Sequence, residues 1–234
     1  MGDSVEWEEM ASSRVEFRGV SKTYRNGGQP VAVLHEVSLG AAPGTVTAIL
    51  GRSGSGKTTL LNLAGAMDFP TAGEVLIAGR ATSALSAREL TALRRTRIGF
   101  VFQFFQLLPT LTALENVELP LQLAHTPKSR ETALDRLGWV GLEDKAGSFP
   151  YQLSGGQMQR VAIARALAHS PELVIADEPT GNLDDASGAQ VLALLRASAD
   201  RFGATVLVAT HSAEAAAIAD VRVRLRDGRI VERA

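Results

Sequence analysis

Cysteine is absent from all 234 residues. Disulfides, thiol nucleophiles and Cys-ligated metal centres are therefore excluded, and a reducing cytoplasm suits the chain. A basic run is missing too. Lys and Arg number 24 against 25 Asp and Glu, a net charge of −1, so the electrostatic footprint of unspecific nucleic-acid binding is lacking and no nucleic-acid partner is expected. No apolar run spans a bilayer. The longest uncharged stretch, Ile98 to Leu114, is broken by Gln103, Gln106 and Pro109 and falls short of a membrane helix. Residues 1–13 are acidic without an apolar centre, and Glu6 stands where a myristoylation signal needs Ser or Thr. We expect a flexible tail there and no anchor, so that any membrane role comes through a partner. Fixed-period repeats and low-complexity tracts are likewise missing.

What is present fits a globular protein, with 45% hydrophobic and 21% charged residues. Strand-length apolar runs occur at Val15–Val20, Val33–Leu39, Thr45–Leu50, Val75–Ala78, Ile98–Phe102, Leu173–Ala176, Thr205–Ala209 and Val221–Leu225. Several alternate with helical patterns, and runs such as Val206-Leu207-Val208 are apolar at every position, as buried parallel strands are. The expected fold is α/β, a single domain over 14–234. Its core is expected at about 14–103 and 161–234, with a helical insertion at about 104–160, where Pro and Gly breaks separate helical patterns.

Gly51-Arg52-Ser53-Gly54-Ser55-Gly56-Lys57-Thr58 follows a strand and precedes the helical run Thr59–Ala64. This is a P-loop in its required context. Its glycines let backbone N–H groups curl around phosphate, Lys57 reaches the β/γ-phosphates and Thr58 ligates Mg²⁺. A P-loop does not choose among kinases, GTPases and transport ATPases. Leu173 to Ala176 ends in Asp177-Glu178, which can hold Mg²⁺ and activate water respectively, or can cap the next helix. His211 ends another strand, where it can touch a γ-phosphate or serve structure alone.

Leu153-Ser154-Gly155-Gly156-Gln157 opens a helix with apolar positions Val161, Ala164, Leu167 and Ala168 on one face. Ser154 caps it and adds a second anion site. A cap alone is not expected to require the double glycine or Gln157.

In this order, P-loop, Gln103, LSGGQ at Leu153–Gln157, IADE at Ile175–Glu178 and His211 resemble the ATP-binding cassette (ABC) family over nearly the whole chain. The resemblance implies a P-loop core carrying an antiparallel β portion, and MgATP held by Gly51, Ser53, Gly54, Ser55, Gly56, Lys57, Thr58 and Thr59. It implies Tyr24 stacked on adenine, Gln103 touching Mg²⁺ or water, and catalysis by Glu178, His211, Lys57 and Gln103, with the metal held by Thr58, Gln103 and Asp177. Ser154, Gly155, Gly156 and Gln157 of one copy would close on the ATP of another in a head-to-tail homodimer, with Asp184 in the loop crossing the interface.

Phe102 to Val117 and Asp177 to Asp184 are similar to the branch serving macrolide and peptide export, lipoprotein release and a cell-division complex. That likeness implies an integral membrane permease at the cytoplasmic face of the cell membrane, with an export adaptor as a further partner. The alternative is a non-transporting signalling complex. Arg52 departs from the proline common in the branch. Phe104, Phe105, Leu107 and Leu108 offer a docking groove for the permease, or else pack the insertion.

Overall fold

Two apolar patterns in the chain resolve into two sheets. The computed structural model describes residues 13–234, so the expected tail lies outside the described residues apart from Ser13. Strands β1 (Val15–Asn26) and β2 (Gln29–Ala41) form a long antiparallel hairpin. With β4 (Ala72–Ile77) and β5 (Arg80–Ala81) it makes a four-stranded sheet in the order β2-β1-β4-β5. The second sheet contains β3 (Val46–Leu50), β6 (Ile98–Phe102), β7 (Leu173–Asp177), β8 (Thr205–Thr210), β9 (Val221–Arg226) and β10 (Arg229–Arg233). Its order is β10-β9-β3-β8-β7-β6, parallel from β9 to β6, with β10 antiparallel at the edge.

Seven α-helices complete the described chain: α1 (Lys57–Ala64), α2 (Ala87–Arg97), α3 (Ala113–Leu123), α4 (Ser129–Trp139), α5 (Gly155–Leu167), α6 (Asp185–Phe202) and α7 (Ala213–Ala217). Start signals are explicit. Ser86 with Glu89 and Thr112 with Glu115 form capping boxes at α2 and α3, each satisfying two backbone donors that a helix leaves open.

Neighbouring residues of the parallel strands face opposite cores. Val174, Ala176, Val206 and Val208 pack with α3, α4, α5 and α6. Leu173, Ile175, Leu207 and Ala209 pack with α1 and the antiparallel sheet. Burial on both faces explains why these strands read as continuous apolar runs. Between Gln103 and Ser154 there is no strand, and α3, α4 and α5 pack on one another. Helix α5 runs unbroken across residue 160, so it belongs both to this helical part and to the layer under β6.

Sequence reading did not anticipate α2, α6, α7, β5 or β10. The first two are carried by charged or Ala-rich segments, and the last two are short or largely exposed. No helix among the described residues is long and apolar enough to cross a membrane.

Candidate functional site

Strand register assembles the site. Leu50 of β3 pairs with Thr210 of β8, Ala209 of β8 with Asp177 of β7, and Asp177 with Phe102 of β6. The carboxyl ends of four adjacent strands are thereby level. Gly51, His211, Glu178 and Gln103, each within one residue of such an end, leave the sheet along one edge, where α/β sheets place ligands.

Between β3 and α1 the loop 51–56 turns tightly, the Ser55 N–H donating to Arg52 O at 3.2 Å. Gly56, the N-cap of α1, has φ 104°, and a Cβ there would lie 2.8 Å from Leu34 Cδ2. Both conformation and space demand glycine. Lys57 is buried, and its ammonium donates to the carbonyls of Gly51 at 2.8 Å and Arg52 at 3.2 Å. It also lies 3.6 Å from Glu178 Oε1. The Ser55 hydroxyl is buried with no partner in the protein. Thr58 donates to Asp177 Oδ2 at 2.9 Å.

Burial pushes the Asp177 carboxyl up; the Thr58 hydrogen bond opposes this, negative Glu178 adds to it and Lys57 opposes it, with a net rise. A carboxylate held in that condition favours a cation. Glu178 has φ 46°, an uncommon conformation for a non-glycine residue. The turn is held by its N–H donating to Ala209 O at 2.9 Å and by the Gly181 N–H donating to its carbonyl at 3.1 Å. His211 Nδ1 is 3.0 Å from both Glu178 carboxylate oxygens. Gln103 lines one cavity with Thr58 and Asp177, and its backbone carbonyl accepts from Asn182 Nδ2 at 3.1 Å. The structure thus brings Lys57, Thr58, Gln103, Asp177, Glu178 and His211 together.

Tyr24 sits on β1, beside α1. Its hydroxyl donates to Asp68 Oδ2 at 2.8 Å, and the buried Lys22 ammonium lies 4.8 Å from its ring centroid while bonding Asp68 Oδ1 at 2.6 Å. Burial and Asp68 raise the phenol pKa, with Thr59 pulling the other way. Burial also raises the Asp68 carboxyl, but bonds from Lys22, Tyr24 and the Phe69 N–H outweigh it and leave it below the usual range.

At the LSGGQ turn Gln157 closes the cap, which corrects the expectation that a cap does not require it; Gly155 and Gly156 are not accounted for by that cap. Ser154 Oγ accepts from the Gln157 N–H at 3.3 Å and Gln157 Oε1 accepts from the Ser154 N–H at 2.9 Å, a complete capping box. At Gly156 a Cβ would lie 2.6 Å from Ser187 Oγ, whereas at Gly155 its nearest neighbour would be 3.6 Å away. Ser187 is itself held by Asp184, the N-cap of α6. Among the described residues, Ser154 to Gln157 share no hydrogen bond or ion pair with the P-loop.

The run Phe104 to Leu108 divides. Phe104 and Leu108 are exposed, whereas Leu107 packs on the core and Phe105 faces Gly155. Residues that sequence reasoning passed over complete the surroundings. Asn116 is fully buried and binds the Leu108 N–H and carbonyl and the carbonyls of Leu111 and Thr112. Arg165 donates to the carbonyls of Phe105 and Gln106 at 2.9 and 2.6 Å. Gln159 lies on the face of α5 shared by Ile163 and Leu167, and a polar residue on an apolar stripe was its only signal in the sequence.

A family profile described as ABC transporter matches residues 34–181. The chain is 48% identical over 224 residues to the macrolide export ATP-binding/permease protein MacB of Rhodopseudomonas palustris, covering 95% of this chain and 34% of that one. It therefore spans about a third of the length of that relative. It is 47% identical over 220 residues to the uncharacterized ABC transporter ATP-binding protein MJ1508 of Methanocaldococcus jannaschii, covering 93% of this chain and 98% of the relative. The solved dimeric structure of MJ0796, a bacterial ABC transporter cassette, superposes with a TM-score of 0.87 at 44% identity, covering 94% of this chain and 97% of that one. A second MJ0796 dimer, in a post-hydrolysis state bound to ADP and Pi, gives 0.86 at 43% identity, with the same coverage. A P-loop, two carboxylates and a histidine on one sheet edge, together with these likenesses, lead to one conclusion: the chain belongs to the ABC transporter family, as one of its ATPase cassettes.

Proposed function

We propose that this chain pairs head-to-tail with a second copy around two MgATP and drives a membrane permease of the macrolide-export or lipoprotein-release type. The observation that carries the reading is the level register of β3, β8, β7 and β6, which groups Gly51, Gln103, Glu178 and His211 at one edge, with the Lys57 ammonium 3.6 Å from Glu178.

The residues fit MgATP. Ser55 offers a buried hydroxyl with no protein partner, and the N–H groups of loop 51–56 and the start of α1 suit phosphate oxygens. Thr58, Asp177 and Gln103 form an oxygen donor set for a hard cation. Mg²⁺ takes one or two protein ligands and completes its shell with phosphate and water, which suits a set this small. Thr58, Asp177 and Gln103 would hold Mg²⁺, which when bound would supply positive charge against the charge developing on the phosphates. Lys57 trades its loop carbonyls for phosphate. Glu178 orients and deprotonates the attacking water, and His211, hydrogen-bonded to that carboxylate, holds its orientation and meets the γ-phosphate. Tyr24 stacks on adenine with the face opposite Lys22. Ser154 to Gln157 serve the ATP of the second copy, with Asp184 beside the interface.

A groove of about 610 Å³ between α2, β6, α3 and α5 is lined by apolar Phe100, Leu119 and Leu123 and by Arg94, Arg95 and Arg165. With exposed Phe104 and Leu108 nearby, it suits an amphipathic cytoplasmic segment of the permease, which would place the chain at the cytoplasmic face of the membrane. An export adaptor would be a further partner in such an assembly.

Glu178→Gln tests the reading. ATP hydrolysis should fall at least 100-fold while ATP binding persists and ATP produces a stable dimer on size-exclusion chromatography. Normal turnover by that variant would remove Glu178 from the mechanism.

A further inference from the structure

Gln159 is fully buried, and its Nε2 donates to two backbone carbonyls, Pro179 O at 2.7 Å and Phe102 O at 3.3 Å. Pro179 directly follows Glu178, and Phe102 directly precedes Gln103. A single amide group therefore ties together the chain segments carrying both residues. Its Oε1 is buried without a partner, an arrangement that costs stability and that an apolar side chain of similar size would avoid. The helix bearing it, α5, starts at the LSGGQ turn. Two turns further along, Arg165 grips the carbonyls of Phe105 and Gln106, both at positive φ, so the Gln103 loop is fastened to α5 at two points.

We infer that Gln159 is a positioning residue that couples α5 to the active-site edge, setting Gln103 and Glu178 relative to one another whenever the LSGGQ end of the helix is displaced. The inference rests on the roles proposed for those two residues. Gln159 acts through the carbonyls of Phe102, which precedes Gln103, and Pro179, which follows Glu178.

The full chain carrying Gln159→Leu, and separately Gln159→Met, tests it by two readouts. Hydrogen–deuterium exchange of the nucleotide-free protein should rise at least fivefold in peptides covering 103–108 and 178–183, and stay unchanged through the rest of α5 and the core. ATP affinity without Mg²⁺ should stay within twofold, kcat should fall at least tenfold and the Mg²⁺ concentration for half-activity should rise at least threefold. In a Gln103→Ala background, adding Gln159→Leu should lower kcat by a smaller factor than in the wild type, since only the placement of Glu178 is left to lose.

Equal factors in both backgrounds, unchanged exchange at the two segments, or exchange rising throughout α5 would overturn the inference, as would failure of both variants to fold. Glu178→Gln separates the outcomes. If that variant is inactive and Gln159→Leu behaves as wild type, this inference alone fails; if Glu178→Gln turns over normally, the underlying reading fails.

Discussion

Ser187 occupies the space that a side chain on Gly156 would need: a Cβ there would come within 2.6 Å of Ser187 Oγ and 2.8 Å of Ser187 Cβ. Ser187 donates from its N–H at 2.8 Å and its hydroxyl at 3.1 Å to the Asp184 carboxylate, holding that carboxyl below the usual range. Two loops that meet a second copy in the proposed dimer are thus in contact within one copy, through a glycine and the cap of α6.

Gly156→Ala therefore carries two opposed effects. Ala favours a helical first turn by roughly 0.5–1 kcal/mol, while overpacking against Ser187 costs about 1–3 kcal/mol. We expect net loss of thermal stability and weaker ATP-driven dimerisation. Adding Ser187→Gly, which removes the clashing atoms, should restore dimer formation. If Gly156→Ala weakens the dimer equally in both backgrounds, the contact with Ser187 is not what selects glycine.

Asp177 gives a pH dependence. Its folded-state pKa is raised, with burial the largest cause, so the folded chain holds the proton more tightly than the unfolded one, whose value lies near ~3.9. Stability falls as pH rises from there through the raised value, and the penalty persists at neutrality. Asp177→Asn should melt higher than wild type at pH 7 without nucleotide, by about 2–4 °C per kcal/mol relieved in a chain of this size. Calorimetry should find that advantage shrinking towards pH 4, while Mg²⁺-dependent hydrolysis is lost. A lower melting point at pH 7 would contradict the assigned direction.

Tyr24 and Asp68 should separate affinity from stability. Tyr24→Ala removes a stacking surface worth about 1–3 kcal/mol, and fluorescence titration should show nucleotide affinity weakened roughly five- to hundredfold with little change in melting. Asp68→Ala leaves the buried Lys22 ammonium without its carboxylate and should lower stability by about 1–3 kcal/mol. Unaltered affinity in Tyr24→Ala would place the base elsewhere.

Phe104 and Phe105 should behave differently although adjacent. Phe104 is exposed, so Phe104→Asp should leave folding and the ATPase of the isolated subunit intact and impair stimulation by the permease. Phe105 faces Gly155 at φ 58°, so Phe105→Asp should disturb the LSGGQ turn and reduce ATP-driven dimerisation without any permease. Identical phenotypes would contradict the division of this segment.

Much of the fold was legible because the parallel strands are buried on both faces and so appear as unbroken apolar runs, as Leu173 to Ala176 and Val206 to Ala209 do. α2 escaped notice because it buries one residue, Leu90, whereas α6 carries a helical stripe in Val191, Leu192, Leu195 and Ala199 that sequence reasoning passed over among its small and polar residues. The P-loop, Glu178 and LSGGQ were legible because glycines and carboxylates at fixed spacing have few other uses. Gln157 was read as surplus to a cap, yet it closes one, since reciprocal side-chain to backbone bonding at three-residue spacing is a local effect that identity alone does not reveal.

The sequence by itself determined the chemical inventory: a phosphate loop, two carboxylates, a histidine and a glycine-rich helix start, each set by local backbone and side-chain chemistry. Only the tertiary structure decided which of these meet. Phe102, Asp177, Ala209 with Thr210, and Leu50 become level through strand register, a long-range choice made by packing two cores against one sheet. The same packing sets Gln159 between the carbonyls of Phe102 and Pro179, since a buried amide is placed by its neighbours in space and not by those in sequence.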